Sequence, residues 1–422
     1  MIETNFNQHH DEPSSSLAKP REQEIPSGEC RVLCVMLCAV GGIRTYIQYN
    51  YPTLAEAGFR FTFVGPEGQP FETFSDELRG WEEAEFVGVP VAGRRFRLCS
   101  TVRRLLRTGR FTLIHSQGIN TGVQTVLANA GLGIPHVMTS HDVFRPVHAQ
   151  GFWGPPKLWL LGWILSQIDT IVTVGEEARR NHLEYLPRLA KNPGRVATIR
   201  PGIDSKWYAE MDKVNCTALR ERFHLDPGAF LIGFLGRFME QKGFLSLLDA
   251  LESLRNDPPR FPYHVVAVGN GDFEREYRRQ VQRRGLNSVV SFHDFVPDPR
   301  ATLRELDLLV MPSLWEALPV LPMEAMAVGT PVLGTDCIGL HEVLTGTPST
   351  MVPAGDSAAL ARALKSAIEN PFSEMAERFC PEARRRFEVK ASSAQLLQLF
   401  RQNAHVKIEP RVAAQPVLPR NQ

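Results

Sequence analysis

The chain has 422 residues but only seven cysteines, none in a C-x-x-C pair and none at zinc-ligand spacing. An odd, unpatterned set in a chain this long reads as buried thiols in a reducing compartment, not as a disulfide framework. No uninterrupted apolar stretch reaches the roughly 20 residues of a spanning helix. The nearest is 158–165, between Lys157 and Asp169, which reads as a buried helix, with peripheral membrane contact as the alternative. Neither sign of charge is in excess: Lys plus Arg number 47 and Asp plus Glu 46, so nothing pulls the whole molecule toward nucleic acid. Residues 1–28 contain Asp11, Glu12, Glu22 and Glu24 but no apolar h-region, so they are not a secretory signal and are expected to be disordered. The expected location is cytoplasmic. Also missing are a Walker A loop, a GxGxxG opening the first helix, a GxSxG elbow and a D-x-D metal motif.

What is present is strand–helix alternation. Apolar strands at 31–39 and 230–235 each run into a glycine-bearing turn, Gly41-Gly42 and Gly236-Arg237, and then a helix. Further short β-rich runs fall at 61–64, 113–115, 136–139, 170–174, 196–199, 264–268, 289–292, 308–311 and 331–334. Phe244, Leu247, Leu248, Leu251 and Leu254 recur at helical spacing and predict one buried face. Such alternation gives parallel sheets covered by helices on both sides, here two in tandem. The expected divisions are 29–205 and 206–390, split after Pro201-Gly202-Ile203-Asp204. A helix at 391–404, free to return to the first domain, and a disordered tail at 405–422 with Pro410, Pro416 and Pro419 complete the chain. Ligands of doubly wound sheets lie at the carboxyl ends of the strands, so the natural site is the cleft between the two.

The most informative segment is 311–334, MPSLWEALPVLPMEAMAVGTPVLG. Glu316 and Glu324 stand with seven residues between them, the first in a loop and the second in the opening turn of a helix. A carboxylate at a helix start is favoured by the dipole and is a good acceptor for a ribose diol. In 236–243, GRFMEQKG, Arg237 and Lys242 flank a turn after a strand. A guanidinium fork and an ammonium point charge there suit a diphosphate, although two solvated cations would look the same.

Taken with Pro312-Ser313, Glu324-Ala325-Met326-Ala327 and Gly329-Thr330-Pro331, this pattern resembles glycosyltransferase family 4, the "glycosyl transferases group 1" domain of the GT-B fold. The resemblance implies two Rossmann-like domains facing each other across a cleft, an acceptor domain followed by a nucleotide-sugar donor domain. It implies that Glu324 holds the ribose hydroxyls, Glu316 the donor sugar, and Arg237 and Lys242 the diphosphate. The Leu318-Pro319 pair stands where many members have Phe-Gly, and proline has no N–H to offer a ligand.

The same resemblance assigns Gly42 to a loop near the diphosphate or acceptor, where glycine allows close approach. It assigns His141 to donor-sugar orientation and transition-state hydrogen bonding, and Asn270, Phe295 and Val296 to the donor, the last two through backbone that reads the base. His115 and Gln117 match a strand end on the acceptor side. The activity implied is retaining, metal-independent, hexosyltransferase-like transfer from a nucleotide-sugar to a hydroxyl, in glycan, polysaccharide or glycolipid synthesis. No cofactor is expected, the nucleotide-sugar being a substrate, and no side-chain nucleophile is assigned.

Residues 94–110 hold Arg94, Arg95, Arg97, Arg103, Arg104, Arg107 and Arg110 with no acidic residue. This is either a solvated face or a surface for anionic lipid or a phosphorylated acceptor. Other readings of the whole are a nucleotide-sugar epimerase, a dinucleotide oxidoreductase and a non-catalytic binding protein. The missing GxGxxG weighs against the oxidoreductase, and the paired glutamates with the two cations favour transfer.

Overall fold

In the computed structural model, residues 30–91, 94–214 and 216–404 are described. The segments 1–28 and 405–422, expected to be disordered, lie outside the described residues. Two wholly parallel sheets form in chain order. The first comprises β1 (Cys30–Met36), β2 (Phe59–Pro66), β3 (Ala84–Val89), β4 (Leu113–Gln117), β5 (His136–Ser140), β6 (Thr170–Thr173) and β7 (Val196–Thr198). The second comprises β8 (Phe230–Leu235), β9 (Tyr263–Val268), β10 (Val290–His293), β11 (Leu308–Met311), β12 (Val332–Thr335) and β13 (Thr350–Val352). Their spatial orders are β3-β2-β1-β4-β5-β6-β7 and β10-β9-β8-β11-β12-β13. Each order reverses once, between β1 and β4 and between β8 and β11. Such a reversal parts the flanking loops at the carboxyl edge and leaves a crevice there.

Strand alternation supplies two buried faces. In β1, Val32, Cys34 and Met36 join the core beneath the helix Gly41–Glu56, whereas Leu33 and Val35 point the other way, onto Leu98, Val102 and Leu105 of the helix Arg94–Leu106. The last helix, Val389–Ala404, packs on the first sheet's side, with Leu396, Phe400 and Ala404 in the same core as Phe59 and Phe61. In the second half, the helix Phe244–Asn256 buries Phe244, Leu247, Leu248, Leu251 and Leu254 against Ile232 and Phe234. A further core contains residues of both halves, including Val143, Val174 and Tyr208 with Ala317 and Leu318.

Two expectations are corrected. The helix containing 158–165, Gly154–Leu165, is not buried all round: Leu158, Gly162 and Leu165 are, but Trp159, Leu160 and Trp163 face solvent. Nor are all thiols buried, since Cys38 is exposed and Cys99 and Cys216 are half-buried.

Candidate active site

The loop after β8 is fixed by backbone packed on backbone. Gly243 has φ +67°, and a Cβ there would lie 1.8 Å from the carbonyl oxygen of Pro312. Gly269 has φ +148°, and its Cβ would lie 2.0 Å from the Gly236 oxygen. Only glycine fits either place. The Phe238 amide donates to Asn270 O at 2.7 Å and the Leu314 amide to Gln241 O at 2.8 Å. The turns after β8, β9 and β11 are thereby tied into one platform at the second sheet's crevice.

On that platform Lys242 and Glu316 meet. Glu316 is 4% exposed, and its Oε1 accepts from Lys242 Nζ at 2.7 Å and from Ser313 Oγ at 2.8 Å. Gln241 Nε2 donates to Oε2 at 3.1 Å. These partners replace the water that burial takes from the carboxylate. Lys242 is therefore shared between its carboxylate and anything bound above it. Arg237 stands apart and is more exposed, its guanidinium 3.0 Å from the exposed Asp272.

Glu324 lies one turn into the helix Leu321–Ala327, whose proline at the first turn suits an N–H-free position. It is 8% exposed, and Oε1 accepts from the Tyr208 hydroxyl at 2.8 Å. Burial pushes its carboxyl up to about 7, against which the Tyr208 bond pulls down and the Asp298 charge pushes further up. Tyr208 comes from the short helix Ser205–Ala209 at the junction, and its oxygen is 3.5 Å from the Tyr49 hydroxyl of the first half. Neither tyrosine is distinguishable in the sequence, because nothing in local spacing brings positions 49, 208 and 324 together.

Across the crevice, His141 follows β5. Its Nε2 lies 2.8 Å from Gln117 Oε1, and Tyr46 meets the ring edge-on at 5.2 Å between centroids. Gln117 Nε2 donates to the Tyr51 hydroxyl, so the amide oxygen faces His141 and Nε2 carries the imidazole proton. Burial lowers His141 to about 4, which makes it neutral in ordinary buffers with Nδ1 as an acceptor. His115 and Gln117 do not present themselves to an acceptor, contrary to the sequence expectation. His115 is fully buried, its Nδ1 2.6 Å from the Tyr51 hydroxyl and its Nε2 2.8 Å from Thr139 Oγ1. Gln117 is 1% exposed. Gln117 stands behind His141 and holds it, and His115 backs Gln117, its Nδ1 3.3 Å from Gln117 Nε2.

Gly42 is exposed at the start of the helix Gly41–Glu56, with open space where its Cβ would be. Phe295 is 50% exposed and Val296 half-buried, on the loop after β10. Arg145, four residues after His141, spans the halves, its guanidinium 3.9 Å from the centre of the Trp315 ring. A second bridge is reciprocal. Glu342 accepts from the amides of Glu176 at 3.0 Å and Glu177 at 2.8 Å and from Arg200 Nε at 2.6 Å. Glu177 in turn accepts from the Gly339 amide at 2.7 Å and lies 2.7 Å from His341 Nδ1. Burial pushes the Glu342 carboxyl up, but those amides and Arg200 outweigh it and hold it below the usual range.

The arginine run is partly structural. Arg103 donates to the carbonyls of Ala128 and Ala130, and Arg110 lies 3.6 Å from Glu85, while Arg97, Arg104 and Arg107 are exposed. The side chains of Arg94 and Arg95 lie outside the described residues. Among the described residues, no group of three or more His, Cys, Asp or Glu could hold a metal ion, and no helix is long and apolar enough to cross a membrane.

Comparison with known proteins agrees with this geometry. Residues 40–207 match the model described as "Glycosyltransferase Family 4" and residues 229–370 that of "Glycosyl transferases group 1". The chain is 30% identical over 295 residues to D-inositol 3-phosphate glycosyltransferase 2 of Catenulispora acidiphila, covering 65% of this chain and 68% of that protein. It is 29% identical over 279 residues to alpha-maltose-1-phosphate synthase of Mycolicibacterium smegmatis, covering 62% and 70%. Among solved structures, Anabaena Alr3699/HepE in complex with UDP and glucose superposes with TM-score 0.73 at 18% identity, over 89% of this chain and 100% of that one. Sucrose-phosphate synthase of Thermosynechococcus elongatus gives 0.69 at 20% identity, over 89% and 99%. The chain belongs to glycosyltransferase family 4 and is a glycosyltransferase with the GT-B fold.

Proposed function

We propose that the protein is a retaining, metal-independent glycosyltransferase that moves a sugar from a nucleotide-sugar to a hydroxyl of a sugar, glycan or lipid-linked acceptor. Residues 29–205 serve as the acceptor domain and 206–390 as the donor domain, and the reaction takes place in the cytoplasm without a cofactor. The observation that carries the reading is the Lys242–Glu316 pair, 2.7 Å apart at the topological reversal of the second sheet. The HepE neighbour, solved with UDP and with UDP-glucose, supports a nucleotide-sugar as donor.

In this reading Glu324, with Oε1 on Tyr208, offers Oε2 to the ribose diol. Asn270, Phe295 and Val296 border the nucleoside. Arg237 and the remaining donors of Lys242 take the diphosphate charge as it develops, the task a metal performs elsewhere. Gly42, at a helix start, approaches the same group. Glu316 holds the sugar, and neutral His141 accepts from a sugar hydroxyl through Nδ1 while its Nε2 proton is kept on Gln117. The departing phosphate deprotonates the acceptor hydroxyl on the same face, which gives retention.

The test is a thermal-shift panel of UDP-, GDP-, ADP- and dTDP-sugars. One of them should raise the melting temperature by mass action, and Glu324→Ala should remove that rise. Activity should persist in EDTA. Product NMR showing an inverted anomeric centre would sink the retaining mechanism.

A further inference from the structure

The helix Gly154–Leu165 and the turn before it expose an aromatic face. Phe152 is 85% exposed, Trp153 75%, Trp159 60%, Leu160 50% and Trp163 44%. Three of the chain's six tryptophans fall within residues 153–163. The other three behave ordinarily: Trp81 is buried, and Trp207 and Trp315 are partly buried against the shared core. A contiguous apolar patch of this kind on a soluble surface marks an interaction site.

The charge around it says what the site takes. From residue 143 to residue 168 there is no Asp or Glu. Lys157 is exposed on the helix itself, the guanidinium of exposed Arg188 lies 6.0 Å from the Trp159 ring centre, and exposed Lys191 follows. The helices Ile119–Asn129 and Arg94–Leu106 lie beside it in turn, over the same face of the first sheet. Their outer surfaces add Leu127, 55% exposed, and Phe96, 88% exposed, with Arg97 and Arg104.

We infer that this face docks on an anionic lipid bilayer, with the indoles at headgroup depth and the cations on lipid phosphates. Tryptophan joins an apolar body to a hydrogen-bonding edge and concentrates where hydrocarbon meets water. Exposed Trp, Phe and Leu bordered by Lys and Arg are the pattern of a helix lying in that interface. A twelve-residue helix is too short to cross and so lies along the surface. A second copy of the chain fits the face poorly, because a twofold contact would oppose cations to cations. The same segment runs directly from His141 through Arg145 to Phe152, so a docked molecule holds its crevice close to acceptors presented at the membrane.

The test is flotation of the full chain with vesicles of phosphatidylcholine alone and of phosphatidylcholine mixed with phosphatidylglycerol. The expected result is binding to the mixed vesicles with a blue shift of tryptophan emission, and a roughly tenfold or greater loss in Trp159→Ala/Trp163→Ala. Lys157→Glu/Arg188→Glu should weaken binding to the anionic vesicles selectively. Both variants should keep the parent melting temperature and any donor-induced shift, so vesicle binding and the donor reading are scored separately. Failure of the parent protein to float with either vesicle at low salt would overturn the inference. So would equal flotation of parent and tryptophan variant, or self-association that this variant abolishes without any vesicle binding.

Discussion

Glu324→Gln isolates a cost the donor site carries when empty. A glutamate's ordinary value is 4.5, and burial raises this one to about 7. Ionising it in the folded protein at high pH then costs about 3 kcal/mol relative to the unfolded chain. The sign follows from the raised folded value: this contribution is fully present below the unfolded pKa and is lost as pH rises through the folded one. About 2 kcal/mol of that loss lies between roughly pH 5.5 and 8. Glutamine keeps an oxygen to accept from Tyr208 and cannot ionise. The parent should therefore lose stability across this window by an amount that Glu324→Gln does not, read as the difference in urea midpoint at the two pH values. Donor binding should move the opposite way. A charged acceptor is worth roughly twice a neutral one, so the variant should bind nucleotide-sugar about tenfold more weakly at pH 8. Identical pH slopes in parent and variant would refute the assigned environment, and unchanged donor affinity at pH 8 would refute the ribose role.

Lys242→Met strands a buried carboxylate that keeps its Ser313 and Gln241 donors, so a loss of about 2 kcal/mol is expected in urea unfolding, partly restored by adding Glu316→Gln. Gly269→Ala drives a methyl toward the Gly236 carbonyl, 2.0 Å from where it would sit, and should cost about 2–4 kcal/mol and abolish the donor-induced thermal shift; a fully stable, donor-binding variant would contradict the packing. Glu342→Ala removes the acceptor of two backbone amides and of Arg200 and should cost about 2–3 kcal/mol, with faster proteolysis near residues 200–203.

Much of this was legible from sequence because strand runs and glycine turns report local conformation. The two strands the sequence does not announce, β3 and β13, both lie at sheet edges and are largely half-buried or exposed, so their apolar signal is diluted, whereas the edge strands β7 and β10 still show theirs. Glu316 and Glu324 are readable because their neighbours along the chain carry the pattern. Their partners are not: Gln241 and Tyr208 reach them from other elements, Tyr49 reaches Tyr208, and Glu342 reaches the helix at Glu176. His115 misled for a related reason. A histidine at a strand end has the same sequence appearance whether it faces the crevice or, as here, points beneath it toward Tyr51 and Phe400. The basic run was visible, and the apolar run 158–165 reads as a buried helix in preference to a surface contact, because helical spacing alone does not say which face of a short apolar helix its tryptophans take.

The last helix carries a consequence for how the chain is made. Phe400 meets Phe59 and His115 edge-on, so part of one face of the first sheet is closed by a residue synthesised 341 positions after Phe59 and 285 after His115. On the ribosome, the helix Gly41–Glu56 can cover its part of that face at once, but the part under Leu396 and Phe400 must wait until the second half has emerged. Closure thus follows synthesis of the helix Val389–Ala404, and a chain interrupted before it leaves part of the sheet open and aggregation-prone.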